Sequence, residues 1–285
     1  MLSYRHAYHA GNFADILKHL VLVNTLHYAL RKDTPLFFLD THAGAGLYLL
    51  GSDAARKTGE AEAGILKLDF AALLEKASPE GAEAIKLYQD AVGHFLRMHR
   101  PAYPGSPLIA AELLRKQDHL HLCELHPADF EVLVSYTHRD RRLTCEQQDG
   151  YTRALALIPP AQKRAVVLID PSYETDAEYQ RVVKLVSELH QRMSGAQILL
   201  WYPVVHRREA QHLQDALVRR GIKDLWRFEL GMKADAPGHG MTASGVLVIN
   251  PPWTLPAQLE NVLPLISEQL AGGWGNWKVE RLTAE

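Results

Sequence analysis

Over residues 106–220, short apolar runs alternate regularly with stretches whose apolar residues follow the helical period. Such alternation predicts β-α-β units, in which parallel strands are joined by right-handed helical crossovers. The run Ala165–Ile169 consists of five apolar residues without a charge, which is typical of a strand buried on both faces of a parallel sheet. The sequence therefore predicts an α/β fold with a mostly parallel, doubly wound sheet.

Seven strands are predicted, at residues 36–40, 120–124, 143–147, 165–170, 197–202, 225–230 and 245–250. The first five are joined by helices and should therefore lie parallel. Only the loop 231–244 separates the last two strands, which allows a hairpin with one antiparallel strand at the sheet edge. A first helix is predicted over residues 13–31, with Asn12 as its N-cap.

Residues 51–105 interrupt the alternation of strands and helices. They contain helical patterns at 62–76 and 80–97, whereas a strand-to-helix connection needs only about 2–6 residues. The pair Ser106-Pro107 then fits the N-cap and N1 positions of the next helix. We therefore predict a single domain over residues 1–285 that carries a small helical insertion at 51–105, on the rim of the sheet.

The composition is that of an ordinary soluble protein, with 47% hydrophobic and 22% charged residues. No apolar run approaches the ~20 residues that span a bilayer, and the first residues lack the apolar core of a signal peptide, so no membrane partner is expected. Cys123 and Cys145 are isolated thiols inside predicted strands, as expected for reduced core residues of a cytoplasmic protein. The formal net charge of −2 argues against non-specific coating of nucleic acid but allows a local basic patch.

Acidic residues follow four of the predicted strands: Asp40, Glu124, Asp149 and Asp170. In a doubly wound sheet these positions line up along one carboxyl edge, where ligands bind. An acid after the second strand suits the ribose hydroxyls of a nucleoside, and one after the third can accept from an adenine amino group. The turn Gly44-Ala45-Gly46 after Asp40 allows close backbone approach to a ligand, but it lacks the further motif residues that NAD or ATP sites require.

The tetrapeptide Asp170-Pro171-Ser172-Tyr173 ends the central strand, because proline cannot donate to a strand ladder. The Asp170 carboxylate and the Pro171 carbonyl can each accept one N–H, while the Tyr173 ring can stack on a flat base. This set suits an exocyclic amino group, which predicts Asp170, Pro171 and Tyr173 as catalytic residues.

The same tetrapeptide resembles the Asp/Asn-Pro-Pro-Tyr/Phe motif of adenine- and cytosine-amino methyltransferases, with Ser172 where the second proline is usual. A second stretch, Asn250-Pro251-Pro252-Trp253, fits that motif more closely as written. It ends the last predicted strand, however, away from the switch point of the sheet where the cofactor is expected. We therefore interpret it as a structural strand terminator.

Several further stretches, distributed over essentially the whole chain, resemble the RlmJ family of 23S rRNA adenine-N6 methyltransferases. They are Leu2-Ser3-Tyr4-Arg5-His6, His9-Ala10-Gly11-Asn12-Phe13-Ala14-Asp15 with Lys18-His19, Asp40-Thr41-His42-Ala43-Gly44-Ala45-Gly46, Tyr103-Pro104-Gly105-Ser106-Pro107, Glu124-Leu125-His126-Pro127 and Asp149-Gly150. The resemblance implies a class I, Rossmann-like domain dependent on S-adenosylmethionine (AdoMet) that methylates an adenine of 23S rRNA.

The resemblance also implies roles for individual residues. The implied cofactor-binding residues are Lys18, His19, His42, Gly44, Ser106, Glu124, Asp149, Gly150 and Asp170. The implied RNA contacts are Tyr4, His6 and Tyr173, with the N-terminal segment near enough to cover the cofactor pocket and reach RNA. A monomer is expected. No metal site is expected, because the histidines near the N-terminus lack metal-ligand spacing with a glutamate and no Cys-x-x-Cys accompanies them.

Three other functions stay open at this point. The chain could methylate adenine in DNA, or it could be a non-catalytic RNA-binding scaffold with the same fold. It could also be a metal-dependent hydrolase that uses the N-terminal histidines. The intact Asp170 argues against the scaffold, and activity that survives EDTA would reject the hydrolase.

Overall fold

A computed structural model of the protein describes residues 5–235 and 240–284. Within these residues the strands β1 to β10 are, in chain order, Phe37–Asp40, Leu47–Leu49, Ala102–Pro104, His119–Cys123, Leu143–Glu146, Ala165–Ile169, Gln197–Val204, Leu225–Gly231, Ala243–Ile249 and Asn276–Arg281. The helices α1 to α11 are Phe13–Ala29, Asp53–Thr58, Glu60–Ala63, Phe70–Lys76, Pro79–Leu96, Ser106–Leu113, Pro127–Thr137, Gly150–Leu157, Asp176–Arg192, Arg207–Arg219 and Leu255–Ala271. In this part of the chain, no helix combines the length and apolarity that a membrane span requires.

The main sheet has the strand order β10-β8-β9-β7-β6-β1-β4-β5, with β7, β6, β1, β4 and β5 mutually parallel. All seven predicted strands are present. The eighth, β10, was missed by sequence reasoning; it pairs antiparallel with β8, so that Asn276 lies opposite Gly231. Its Trp277, Glu280 and Arg281 are exposed, and an edge strand of this kind lacks the apolar run that marks a buried strand.

Of the two strands expected to form the hairpin, the antiparallel one, β9, lies inside the sheet and not at its edge, which corrects the expectation from sequence. The crossover through α10 places β8 parallel to β7, but it leaves a gap of one strand between them. Strand β9 then fills the gap, antiparallel to both neighbours. Because β9 runs in reverse, its end at Ile249 lies beside Ile198 near the start of β7, at the amino edge of the parallel strands.

Helices cover both faces of the sheet. Helices α1, α6 and α11 pack with β1, β4 and β6 in one hydrophobic cluster, and α8, α9 and α10 pack in a second cluster on the other face. Asn12 caps α1 as predicted, since its side chain accepts from the backbone N–H groups of Ala14 and Asp15. Helix α1 is buried almost all round, because α5 and α11 pack against it as well as the sheet. Polar residues of α1 are therefore held inside the protein.

Residues 51–105, predicted to be an insertion, contain helices α2 to α5, and the strands β2 and β3 on either side of these helices pair antiparallel. The predicted helix at 62–76 is interrupted, because Ile65 donates its N–H to the Gly11 carbonyl (2.8 Å) and Asp69 caps a new helix, α4. Ile85 and Tyr88 of α5 are buried in the same cluster as α1. Residues 51–105 thus share the hydrophobic core of the main sheet.

Candidate active site

A cavity lies at the carboxyl edge of the parallel strands, beyond the ends of β1, β4 and β6. All the residues predicted to bind the cofactor line it: Lys18, His19, His42, Gly44, Ser106, Glu124, Asp149, Gly150 and Asp170. They are brought together because strands that are far apart in sequence end at one edge of a parallel sheet. We call this the first cavity.

The turn after β1 shapes one wall of the first cavity. Gly44 has φ +62°, and a Cβ there would lie 2.3 Å from the Tyr48 hydroxyl, so glycine is required. The backbone N–H of Gly44 donates to Oε2 of Glu124 (2.7 Å), and that of His126 donates to Oε1 (2.7 Å). Burial raises the pKa of Glu124, and these two bonds oppose the shift. The carboxylate is thereby fixed at the cavity wall.

Ser106 acts differently from the predicted helix cap. Helix α6 is capped by Gly105 without a side-chain bond, and the Ser106 hydroxyl instead donates to Oδ2 of Asp40 (2.6 Å). The backbone N–H of His42 donates to Oδ1 of the same carboxyl (3.2 Å). Burial raises the pKa of Asp40 to about 7, and the Ser106 bond opposes that shift. Asp40 therefore ties α6 to the loop that carries His42.

Asp40 should make the stability of the protein depend on pH. Asp40 binds its proton more tightly in the folded protein than in the unfolded chain, where the pKa of Asp is about 3.9. The protonated Asp40 therefore contributes to the free energy of unfolding, fully below about pH 4 and progressively less as the pH rises toward about 7. Urea unfolding over this range should show wild type losing up to about 1.4 kcal/mol per pH unit relative to Asp40→Asn. A stability difference that stays constant with pH would contradict this assignment.

His19 places a polar atom in the first cavity. Its Nδ1 lies 2.8 Å from the Tyr103 hydroxyl, which lies 3.0 Å from the Tyr88 hydroxyl. Burial, aided by the nearby Lys18 charge, holds the pKa of His19 well below its usual range, so the ring is neutral. Its Nε2 is buried and has no hydrogen-bond partner among the described residues. If Tyr103 donates to Nδ1, Nε2 carries the proton and is a donor available to a ligand.

Asp149 and Gly150 lie at the start of α8. Asp149 caps this helix through the N–H of Tyr151 (3.0 Å), and its Oδ2 pairs with Arg181 (2.9 Å). A Cβ on Gly150 would lie 2.0 Å from the Thr41 carbonyl oxygen, so only glycine lets the loops after β1 and β5 meet here. The Asp149 carboxylate is thus already engaged on both oxygens, which the sequence did not indicate.

A second cavity adjoins the first, and they share Lys18, Asp170, Ser172, Trp201 and His6. Its other walls include aromatic and apolar side chains, namely Tyr173, Tyr179, Pro203, Val205 and Met241. The predicted catalytic residues therefore divide between the two: Pro171 lines the first cavity, Tyr173 the second, and Asp170 both.

A row of buried charges leads from α1 to Asp170. The Lys18 ammonium lies 2.7 Å from Oδ2 of Asp170 and 2.8 Å from Oδ1 of Asp15. Although burial favours neutral forms, the two carboxylates raise the pKa of Lys18. The neighbouring His6 ring and the Lys18 ammonium hold the pKa of Asp15 well below its usual range. Asp15 also accepts from His6 (2.9 Å) and the Gly11 N–H (2.9 Å). The N-terminal segment is thus anchored to the Lys18–Asp170 pair.

Tyr173 is held in an unusual backbone conformation, with φ +51°. A bulky residue in the left-handed region is rare, and this backbone conformation costs about 1–3 kcal/mol. Such strained conformations occur mainly at functional sites. Its hydroxyl donates to the Trp201 carbonyl (2.8 Å), and its ring centroid lies 5.9 Å from that of Trp201. The Tyr173 side chain is therefore fixed at the wall of the second cavity.

Of the predicted RNA contacts, His6 lines both cavities, with its ring 4.9 Å from that of Tyr48. Tyr4 lies outside the described residues. Sequence reasoning missed Asp15 and Trp201. Asp15 could have been found, because it stands three residues before Lys18 on one helix, where side chains meet.

The alternative motif Asn250-Pro251-Pro252-Trp253 does not contribute to either cavity. Asn250 follows the reversed strand β9 and donates from Nδ2 to the carbonyls of Ser194 and Ala196 (2.7 Å each). It thereby joins the end of β9 to the turn before β7, at the amino edge of the parallel strands. The interpretation as a structural strand terminator away from the switch point is confirmed.

The sheet order, with parallel β7-β6-β1-β4-β5 and antiparallel β9, and the Asp-Pro motif beyond β6 define a class I methyltransferase fold. The model of the family described as ribosomal RNA large subunit methyltransferase D, RlmJ, matches residues 33–283. The chain belongs to this RlmJ family.

Two relatives and one solved structure agree with that membership. The ribosomal RNA large subunit methyltransferases J of Escherichia coli (strain K12) and Haemophilus influenzae are 43% and 42% identical, each over 100% of both chains. The crystal structure of protein LPL1258 from Legionella pneumophila is 33% identical, with a TM-score of 0.85 over 96% of this chain and 98% of that one.

Proposed function

We propose that this protein transfers a methyl group from AdoMet to N6 of a specific adenine in 23S rRNA. One observation carries the proposal: two cavities meet at Asp170, one lined by the predicted cofactor residues and the other by aromatic rings. In an in-line methyl transfer the amine and the sulfonium lie on opposite sides of the methyl carbon. Two adjoining cavities that share Asp170 give the methyl donor and the flat acceptor separate places beside one carboxylate. The full-length similarity to enzymes named as rRNA large subunit methyltransferases supports the same substrate class.

The first cavity fits AdoMet by the chemistry of its donors and acceptors. The unpartnered Nε2 of His19 suits the cofactor's carboxylate. Each Glu124 oxygen accepts one backbone N–H, and a carboxylate offers about four lone-pair sites, so acceptors remain for ribose hydroxyls. The glycines at 44 and 150 let the backbone approach a ligand closely. When bound, this cofactor supplies an electrophilic methyl group on a sulfonium.

Asp170 and the Pro171 carbonyl are proposed to orient the amine. An adenine amino group is a weak nucleophile, because its lone pair is delocalised into the ring. Two acceptors on its N–H bonds favour a pyramidal nitrogen and direct the lone pair toward the methyl donor. Lys18 binds Oδ2 of Asp170, so Oδ1 is the oxygen proposed to accept from the amine. The proton leaves after methyl transfer, and full deprotonation by Asp170 beforehand is unnecessary.

The decisive experiment incubates the protein with labelled AdoMet and unmodified 23S rRNA, followed by mapping of methylated adenine. We expect one modified adenine and no incorporation into DNA of the same sequence. Equal methylation of DNA would support the more general adenine-N6 methyltransferase. Tight RNA binding without incorporation would support a non-catalytic scaffold. Activity should survive EDTA, since the described residues contain no group of three or more potential metal ligands.

RNA docking should depend on Arg208, at the carboxyl edge, and not on Arg219 or Arg220, at the far end of α10. The neighbouring Arg207 is already engaged, because it binds Glu229 (2.7 Å) and Asp235 (2.7 Å). Arg208 is exposed beside Glu209, which lines the second cavity. Arg208→Ala should weaken RNA binding and reduce the magnitude of the salt slope by roughly 0.7 for one single-strand phosphate contact.

The paired variant Arg219→Ala/Arg220→Ala is the matched control, since both residues are exposed at the C-terminal end of the same helix, where Arg219 is its last residue and Arg220 its C-cap. It should leave the affinity and the salt slope unchanged. Filter binding of an rRNA fragment at several salt concentrations measures both quantities. A larger effect from the control than from Arg208→Ala would mean that RNA approaches the opposite edge.

We also propose that a single chain is sufficient for activity and that the protein acts in the cytoplasm, where its proposed substrate is made. The first point is supported by the two cavities, because one chain supplies every described residue assigned to the site. Residues 51–105 are proposed to be an insertion within this one domain, since α5 is buried against α1.

Tyr4 remains a proposed RNA contact: Tyr4→Ala should weaken methylation and leave AdoMet affinity nearly unchanged.

A further inference from the structure

Trp201 lies level with Asp170 on the neighbouring strand. Strands β6 and β7 are parallel, with Leu168 opposite Leu199 and Ile169 opposite Leu200. The next position places Asp170 beside Trp201. Leu168 and Leu199 both face the cluster that contains α1, and side chains alternate along a strand. Asp170 and Trp201 therefore face the same side of the sheet, toward α1.

The surroundings of Trp201 fix its ring at the boundary of the two cavities. Trp201 lines both cavities and is half-buried, whereas its strand neighbours Leu200 and Tyr202 are buried. Its indole N–H donates to the hydroxyl of Ser244 (2.8 Å), which is fully buried. Its carbonyl accepts from Tyr173. A large aromatic surface is thus immobilised beside the carboxylate and is reachable from the second cavity.

We propose that Trp201 is a substrate-contacting residue that positions the target base, an inference that rests on the proposed function. The planes of Trp201 and Tyr173 are inclined at 56°, so the two rings form a corner and cannot clamp a flat base between them. An adenine that enters the second cavity stacks on one ring and meets the edge of the other, with its amino group at Asp170. Aromatic stacking of this kind holds bases that have left their own stack.

The test compares three substitutions around the ring. Trp201→Phe keeps an aromatic face but loses the N–H to Ser244, Trp201→Leu removes the aromatic face, and Ser244→Ala removes only the N–H partner. We expect Trp201→Leu to lower kcat/KM for an rRNA fragment on the order of tenfold to a hundredfold. Trp201→Phe and Ser244→Ala should each cost only a few-fold, since both retain a ring at the base.

Two readouts separate base positioning from a structural role. The AdoMet Kd, measured by calorimetry, should stay within about twofold of wild type in all three variants. A fragment with 2-aminopurine at the target position should be quenched on binding wild type and brighter on binding Trp201→Leu. Trp226→Leu is the matched control, because Trp226 is a half-buried tryptophan of the same sheet that lines neither cavity. If Trp201→Leu does not fold, Trp201→Met takes its place.

The possible results are distinct. If the wild-type protein is active and Trp201→Leu is equally active, this inference is overturned and the proposed function stays intact. If Trp201→Phe and Ser244→Ala lose as much kcat/KM as Trp201→Leu does, the inference is also overturned. The effect would then come from the Trp201–Ser244 hydrogen bond and not from the aromatic face. If the wild-type protein methylates no adenine, the proposed function is overturned, and this inference with it.

Discussion

Asp170→Ala is expected to lower the turnover number at least about a hundredfold, the loss seen when one hydrogen bond to a transition state is removed. AdoMet affinity should fall much less, because the other residues proposed to bind the cofactor are unchanged and Lys18 keeps its contact with Asp15. Asp170→Asn should also be impaired, since it keeps one acceptor but turns an N–H donor toward the amine. Single-turnover kinetics with saturating AdoMet measures the step directly.

The control for this prediction is Asp90→Ala, which removes an exposed carboxylate from α5. It should have wild-type turnover. Wild-type turnover in Asp170→Ala would end the catalytic assignment of Asp170. A loss of AdoMet affinity as large as the loss of turnover would assign Asp170 to cofactor binding alone.

Lys18→Met is expected to reduce both stability and activity. The Lys18 side chain is only 6% exposed and lies between Asp15 (2% exposed) and Asp170 (16% exposed). Removing one partner from a buried charge pair costs about 3–5 kcal/mol, because it leaves an uncompensated charge. Here the carboxylates would also repel each other. Urea unfolding should therefore show a loss of this size, and turnover should fall because Asp170 is no longer held.

A second substitution tests the cause of this loss. In Lys18→Met/Asp15→Asn one of the two carboxylates is removed, so much of the stability should return while activity stays low. The deficit of Lys18→Met should also be smaller at pH 5 than at pH 8, because protonation relieves the repulsion. Lys86→Met, at an exposed position of α5, is the control and should change neither quantity. No recovery in the double variant would mean that lost packing, and not charge, is responsible.

The sequence by itself determined the positions of the seven strands and the place of the first cavity. Apolar runs mark buried parallel strands, and the acids that follow them must lie at a shared edge once the crossovers are right-handed. For that reason Glu124, Asp149 and Asp170 line one cavity, although they come from different strands. The motif at Asn250 could be set aside on the same ground, by its ordinal position in the sheet.

Only the tertiary structure decided which side-chain oxygens and cationic groups already have hydrogen-bond or ion-pair partners within the protein. The sequence treats Arg207 and Arg208 alike, but the fold brings Glu229 and Asp235 to Arg207 alone. Ser106 has the residue type of a helix cap, yet its hydroxyl binds Asp40, a residue of another strand. Such contacts join residues far apart in sequence, so no local pattern reports them.

The same limit applies to the strand register. Strand β10 has no apolar run of its own and forms only because β8 offers an open edge. Trp201 looks like one more residue of an apolar strand, and its place beside Asp170 follows only from the pairing of β6 with β7. Local pattern marks the helices and the buried strands, because it depends on neighbouring side chains, but it does not mark an edge strand such as β10. The pairing of those elements, and with it the detailed chemistry of the site, depends on how distant surfaces pack together.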